Sequence, residues 1–229
     1  MSPPITGVSS MATRLILGEL SQQYETKSGQ RVDIRSMGGV EAARLVREGE
    51  TTDAVVLASK VMDQLEAEGH VLARSIKPFT RSGMAVAIPA GAARPDISTE
   101  DAVRQAISGA RKVGYSTGPS GDHLLGLCER WGLLPALADR MLKAPPGVPV
   151  ASLVAQGEVD LGFQQLSELL NTPGVDIVGP LPPEIQAVTV FAAGVCARSP
   201  RPEETAALIG YLASSEADEV KRAHGMEPA

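Results

Sequence analysis

What most restricts the fold of this chain is the order of its apolar patterns: short apolar runs of strand length alternate with longer segments whose apolar residues recur at helical spacing. Residues 5–8 form a strand-like run closed by Ser9 and Ser10. Residues 11–24 then place Ala12, Leu15, Ile16, Leu20 and Tyr24 on one helical face, and Gly29 follows at the usual stop position. Residues 32–34 are a short alternating strand, 40–47 a helix with Val40, Ala43, Leu45 and Val46 facing inward, and 54–58 a strand of the fully buried type. Ser59 caps a third helix. Strand and helix in strict alternation predict a parallel sheet covered by helices.

From Arg81 the rhythm changes. Residues 84–88 are a strand, 89–95 a Gly/Ala/Pro linker, 99–110 a helix capped by Ser98 or Thr99, and 113–116 a strand. Helices over 118–131, 133–141 and 148–155 and a strand over 159–163 complete a second α/β unit. Extended segments at 176–178 and 185–195 bracket a stiff Pro-rich turn, and helices over 202–213 and 216–223 end the chain. The pattern predicts two lobes, residues 1–80 with 185–229 and residues 81–184, each a mostly parallel sheet flanked by helices. A ligand cleft between them is the expected site.

Composition removes whole classes of function. A net charge of -6 with 3% aromatic residues and no Lys/Arg run argues against nucleic acid, whose phosphates demand clustered cations. The longest apolar stretches, such as residues 188–197, fall short of the roughly 20 residues that a membrane-spanning helix needs, so no membrane insertion is expected. Cys128 and Cys196 have neither metal-ligand nor redox spacing and read as buried small apolar residues. There is no nucleotide-phosphate loop, no dinucleotide fingerprint and no nucleophile elbow. His70, His123 and His224 form no paired metal motif. Neither a metal nor another cofactor is implied.

What remains is a repeated device. Ser9-Ser10, Ser36-Met37-Gly38-Gly39, Ser116-Thr117-Gly118-Pro119-Ser120-Gly121 and Pro145-Pro146-Gly147-Val148 each stand at the start of a helix. Such junctions offer free backbone N–H groups, a positive dipole end and hydroxyl donors, which suit an anion. Any one of them also reads as an ordinary cap or turn. Four across two lobes point to a ligand, because in doubly wound sheets such junctions share the carboxyl edge of the strands.

These junctions, together with Gly7-Val8-Ser9-Ser10, Val46-Arg47-Glu48-Gly49-Glu50 before Asp53-Ala54-Val55-Val56, and the run from Leu153 through Gln156-Gly157-Glu158 to Gly162, resemble the type II periplasmic solute-binding proteins, in particular the molybdate-binding branch. The resemblance implies the two-lobed type II periplasmic-binding-protein fold and an oxyanion such as molybdate or tungstate. It puts the contacts on Ser9 or Ser10, Ser36, near Ser120, near Gly147 and Val148, and on Gln165, with an ABC transporter permease as partner. Two positions depart from that branch. Gln164-Gln165 stands where a tyrosine is typical, and Arg81 lies at the expected crossing between lobes, where its planar fork fits a carboxylate. A small di- or tricarboxylate is therefore the other ligand class. Arg14 and Arg35 read as solvated surface residues.

A second function follows from the same resemblance, since some proteins similar to this family are cofactor-free isomerases, aconitate isomerase among them. In that case His123 would carry a proton, while Asp122 faces the helix dipole and Tyr115 either reaches the ligand or packs in the core. The chain start, with Pro3-Pro4-Ile5 close behind Met1 and no basic and apolar leader, fits a cytoplasmic enzyme if native and a periplasmic receptor if a leader was removed.

Overall fold

In a computed structural model that describes residues 3–229, the first strand, β1 (Ile5–Ser10), is buried at every residue but Thr6. Met1 and Ser2, on which the reading of the chain start rests, lie outside the described residues. A tight turn (Met11–Thr13) leads into α1 (Arg14–Ser28). Its inward face is Ile16, Leu17, Leu20 and Tyr24, while Leu15 is 38% exposed rather than inward. The helix starts later than the periodicity predicts because Thr13 Oγ1 donates to the Ser10 carbonyl at 3.1 Å and holds the turn. It stops at Gly29, whose φ of 73° needs no Cβ to be accommodated.

β2 (Val32–Met37) pairs in parallel with β1, Ser9 opposite Ser36. α2 (Gly39–Arg47) buries Ala42, Ala43 and Val46. Val40, expected inside, is 74% exposed because it sits in the first turn, off the face that meets the sheet. β3 (Ala54–Ala58) pairs in parallel with the other side of β1. α3 (Ser59–Ala67) follows at once, so Ser59 is its first residue rather than its cap and makes no capping bond. β4 (Lys77–Pro89) then carries the chain out of its first compact unit, which ends at Arg81 and resumes at Thr189.

The second unit spans Ser82–Val188. α4 (Glu100–Gly109) is capped by Thr99, which accepts from Ala102 N–H at 3.1 Å. After β5 (Val113–Tyr115) come α5 (Pro119–Arg130) and α6 (Leu134–Leu137). The helix expected over 133–141 stops at Leu137, because β6 (Met141–Lys143) pairs in parallel with β5 instead. α7 (Val150–Ala155), β7 (Leu161–Gln165), α8 (Leu166–Leu169) and β8 (Val175–Pro180) complete the unit. β5 runs parallel to β7, and β4 runs antiparallel to both β7 and β8. The chain returns through β9 (Val188–Val195), antiparallel to β3, then α9 (Pro202–Leu212), α10 (Asp218–Ala223) and β10 (Glu227–Pro228), which pairs with β4 at Arg81 and Thr80.

Each unit therefore has a parallel centre, β2-β1-β3 in one and β6-β5-β7 in the other, finished by antiparallel strands. Strand alternation gives each sheet two apolar faces. Val56 packs with Ile16, Leu20 and Leu208, while its neighbours Val55 and Leu57 pack with Ala42, Val46 and Leu65. In the second unit Val86 joins Val103 and Leu124, and Ala85 and Ala87 join Val150 and Val154. Helices on both faces hold the strand ends still, and at those ends the serines stand.

Candidate functional site

In the first unit β1, β2 and β3 end side by side, so their junctions share one edge of the sheet. Ser9 Oγ and Ser36 Oγ are 2.8 Å apart and hydrogen-bonded across β1 and β2. Ser10 is only 9% exposed, and its hydroxyl has no hydrogen-bond partner among the described residues. The same holds for the solvent-inaccessible hydroxyl of Ser59, at the end of β3. A buried polar group left unpaired costs about 1–3 kcal/mol, and two of them stand at this edge. Gly38 precedes α2 as its N-cap, and a Cβ on Gly39 would lie 3.8 Å from Ser10 Cβ. The start of α2, whose first N–H groups have no acceptor within the helix, thus lies against Ser10. Arg81 is exposed on β4, its guanidinium without a hydrogen bond or ion pair among the described residues. Arg35 pairs with Glu50 at the surface.

The second unit spends its donors differently. Ser116 Oγ and Ser120 Oγ are bonded to each other at 2.9 Å, and Gly118 N–H leans on Ser116 Oγ at 3.4 Å. Thr117 lies in the turn between β5 and α5. Gly121 is sterically required, since a Cβ there would stand 1.9 Å from the Ser116 carbonyl oxygen. His123 Nε2 is 2.7 Å from the Ile185 carbonyl, and because a carbonyl only accepts, Nε2 carries the proton. Tyr115 packs against the core and Asp122 is exposed. Gly147 takes φ 78° in an exposed turn closed by Val148 N–H on the Pro145 carbonyl at 3.0 Å. Gln164 is buried with both ends engaged: Oε1 accepts from Val150 N–H, and Nε2 donates to Glu168 Oε1, each at 2.7 Å. Gln165 is equally buried. Burial pushes the Glu168 carboxyl up to about 7, only partly opposed by the Gln164 hydrogen bond.

Two of these residues escape the sequence reading. Ser59 was legible only as a cap, although a serine directly after an apolar strand is the same signal as Ser9-Ser10. Glu168 lies four residues after Gln164, yet nothing in the sequence announces that it is half-buried against that side chain. Both cysteines are buried, which pushes the Cys128 thiol up to about 11 and the Cys196 thiol up to about 12. Among the described residues no cluster of His, Cys, Asp or Glu could hold a metal, and no helix is long and apolar enough to cross a membrane.

The family model for bacterial extracellular solute-binding proteins matches residues 5–227. The chain belongs to this family. It is 36% identical over 239 residues to an aconitate isomerase from a Pseudomonas species, with 98% of this chain and 89% of that protein covered. Among solved structures it resembles the periplasmic molybdate-binding protein of Azotobacter vinelandii, with a TM-score of 0.80 at 20% identity over 97% of this chain and 98% of that one. It also resembles a tungstate-binding protein from Desulfovibrio alaskensis, with a TM-score of 0.69 at 12% identity over 100% and 99% of the two chains. These likenesses fix the fold as that of type II periplasmic binding proteins, with the molybdate-binding branch among its neighbours.

Proposed function

We propose that this solute-binding protein takes up a small anion and delivers it, outside the cytoplasm, to the permease of an ABC transporter. The ligand is an oxyanion such as molybdate or tungstate, or a small di- or tricarboxylate. The observation that carries this reading is the buried Ser10 hydroxyl, unpaired at a parallel-strand edge beside the bonded Ser9–Ser36 pair and the start of α2. Neutral donors of this kind bind an anion through desolvated hydrogen bonds and leave no fixed counter-charge to be shed on release.

The decisive measurement is thermal unfolding with molybdate, tungstate, sulfate and phosphate on one side and citrate and cis- and trans-aconitate on the other. A ligand that binds only the folded protein raises the melting temperature. Stabilisation by one group names the ligand class, whereas no stabilisation by either rejects anion binding.

A second reading, a cofactor-free and cytoplasmic isomerase of a small unsaturated carboxylate, is favoured by one observation: the 36% identity to an aconitate isomerase extends over nearly the whole chain. In it, Arg81 and the helix starts hold the carboxylates. A base takes a proton from the allylic methylene carbon, the electron pair shifts the double bond by one position, and a proton is added at the far, formerly vinylic, carbon. With His123 Nε2 committed to Ile185, only its Nδ1 is free to exchange a proton. The Glu168 carboxyl, which burial pushes up to about 7, is a second group able to carry a proton in this reading. Proton NMR of either aconitate isomer with the protein in D2O tests this reading: interconversion with deuterium uptake supports it, and unchanged spectra over hours reject it.

A further inference from the structure

The Ser59 hydroxyl is the feature that the anion-binding reading does not yet use. It is inaccessible to solvent, has no partner among the described residues, and opens the nine-residue helix α3 at the carboxyl end of β3. Strand order β2-β1-β3 puts Ser36 and Ser59 on opposite flanks of Ser10. With neighbouring strands about 4.8 Å apart, the ends of β2 and β3 are separated by roughly 10 Å. That row is broader than the oxygens of a single tetrahedral oxyanion can bridge. It matches an elongated ligand with acceptor oxygens at both ends.

We propose that Ser59 is a ligand-binding residue that donates, with Ser10, to a second carboxylate, so that the first unit selects a di- or tricarboxylate over a tetrahedral oxyanion. The inference rests on the anion-binding reading and narrows it. A hydroxyl in this position sacrifices stability in the free protein and regains it as a hydrogen bond to the ligand.

The test is isothermal titration of citrate, trans-aconitate and molybdate into the wild-type protein, Ser59→Ala and Ser59→Thr, with ligand-free melting temperatures as a folding control. Ser59→Ala is expected to melt at or above the wild-type temperature and to bind the carboxylates at least tenfold more weakly. Ser59→Thr, which keeps the hydroxyl, is expected to restore most of that affinity. Equal carboxylate affinity in wild type and Ser59→Ala overturns the role of Ser59 while leaving anion binding intact. Wild-type binding of molybdate alone overturns the carboxylate selection, and wild-type binding of none of the three overturns the anion-binding reading itself.

Discussion

The two units share a plan, three parallel strands whose ends lead into helices, but they differ in what the serines at those ends have left to give. In the second unit Ser116 and Ser120 satisfy each other, Gln164 holds the start of α7, and His123 is tied to Ile185. In the first, Ser10 and Ser59 keep buried hydroxyls with no partner among the described residues. One edge is finished by its own hydrogen bonds, whereas the other keeps hydroxyls that have no partner among the described residues.

The glycines at the two helix starts give the hardest test of that contrast. Gly121→Ala drives a methyl group to within 1.9 Å of the Ser116 carbonyl oxygen and 3.2 Å of Tyr115 Cδ2, and backbone cannot step aside as a side chain can. A destabilisation of about 3 kcal/mol or more is expected from such overpacking, read by urea unfolding. Gly39→Ala meets only Leu57 Cδ2 and Ser10 Cβ at 3.8 Å, an ordinary contact. It should leave stability unchanged or raise it by up to about 1 kcal/mol, since alanine is the better helix residue. Equal losses in the two variants would show that both starts are packed frames.

Glu168 extends the comparison to pH, because its half-buried carboxyl accepts from the Gln164 side chain of the second unit. Its folded value of about 7 lies above the ordinary 4.5, so the folded protein holds the proton more tightly than the unfolded chain. Stability is full below about pH 4.5, falls as the pH rises from 4.5 towards 7, and stays reduced above. Glu168→Gln should be as stable as wild type at pH 4.5 and more stable at pH 8, by up to about 3 kcal/mol at 1.4 kcal/mol per pH unit. Parallel pH profiles of the two proteins would show that the carboxyl is not desolvated.

The same contrast explains what the sequence could convey. Alternation of apolar periods identifies the α/β units and nearly all of their helices, because Val56 and Leu20 must face one core and Val55 and Leu65 the other. It also identifies Ser9, Ser10 and Ser36, since hydroxyls after apolar strands stand at sheet edges by necessity. It misplaces Val40 and Leu15, where a first-turn residue falls off the buried face, and it loses β6, a three-residue strand whose only cause is pairing with β5. Whether a serine is satisfied depends on a neighbour distant in sequence. Ser9 finds Ser36, while Ser10 and Ser59 find no partner among the described residues, and no local pattern separates these outcomes.

Removing a hydroxyl should therefore have opposite effects on the two sides. Ser116→Ala strips Ser120, itself 2% exposed, of its partner and takes the acceptor from Gly118 N–H. The expected cost is about 1–2 kcal/mol of stability, because a buried hydroxyl is left unpaired. Ser10→Ala deletes a hydroxyl that has no partner among the described residues, so the ligand-free protein should be as stable as wild type or up to about 1 kcal/mol more stable. Affinity should run the other way: Ser10→Ala loses tenfold or more for whichever anion the melting panel selects, and Ser116→Ala loses less. Chemical denaturation and titration calorimetry on the pair measure both axes. If Ser10→Ala proves less stable than wild type in the absence of ligand, its hydroxyl has a structural partner in solution and the first edge is as complete as the second.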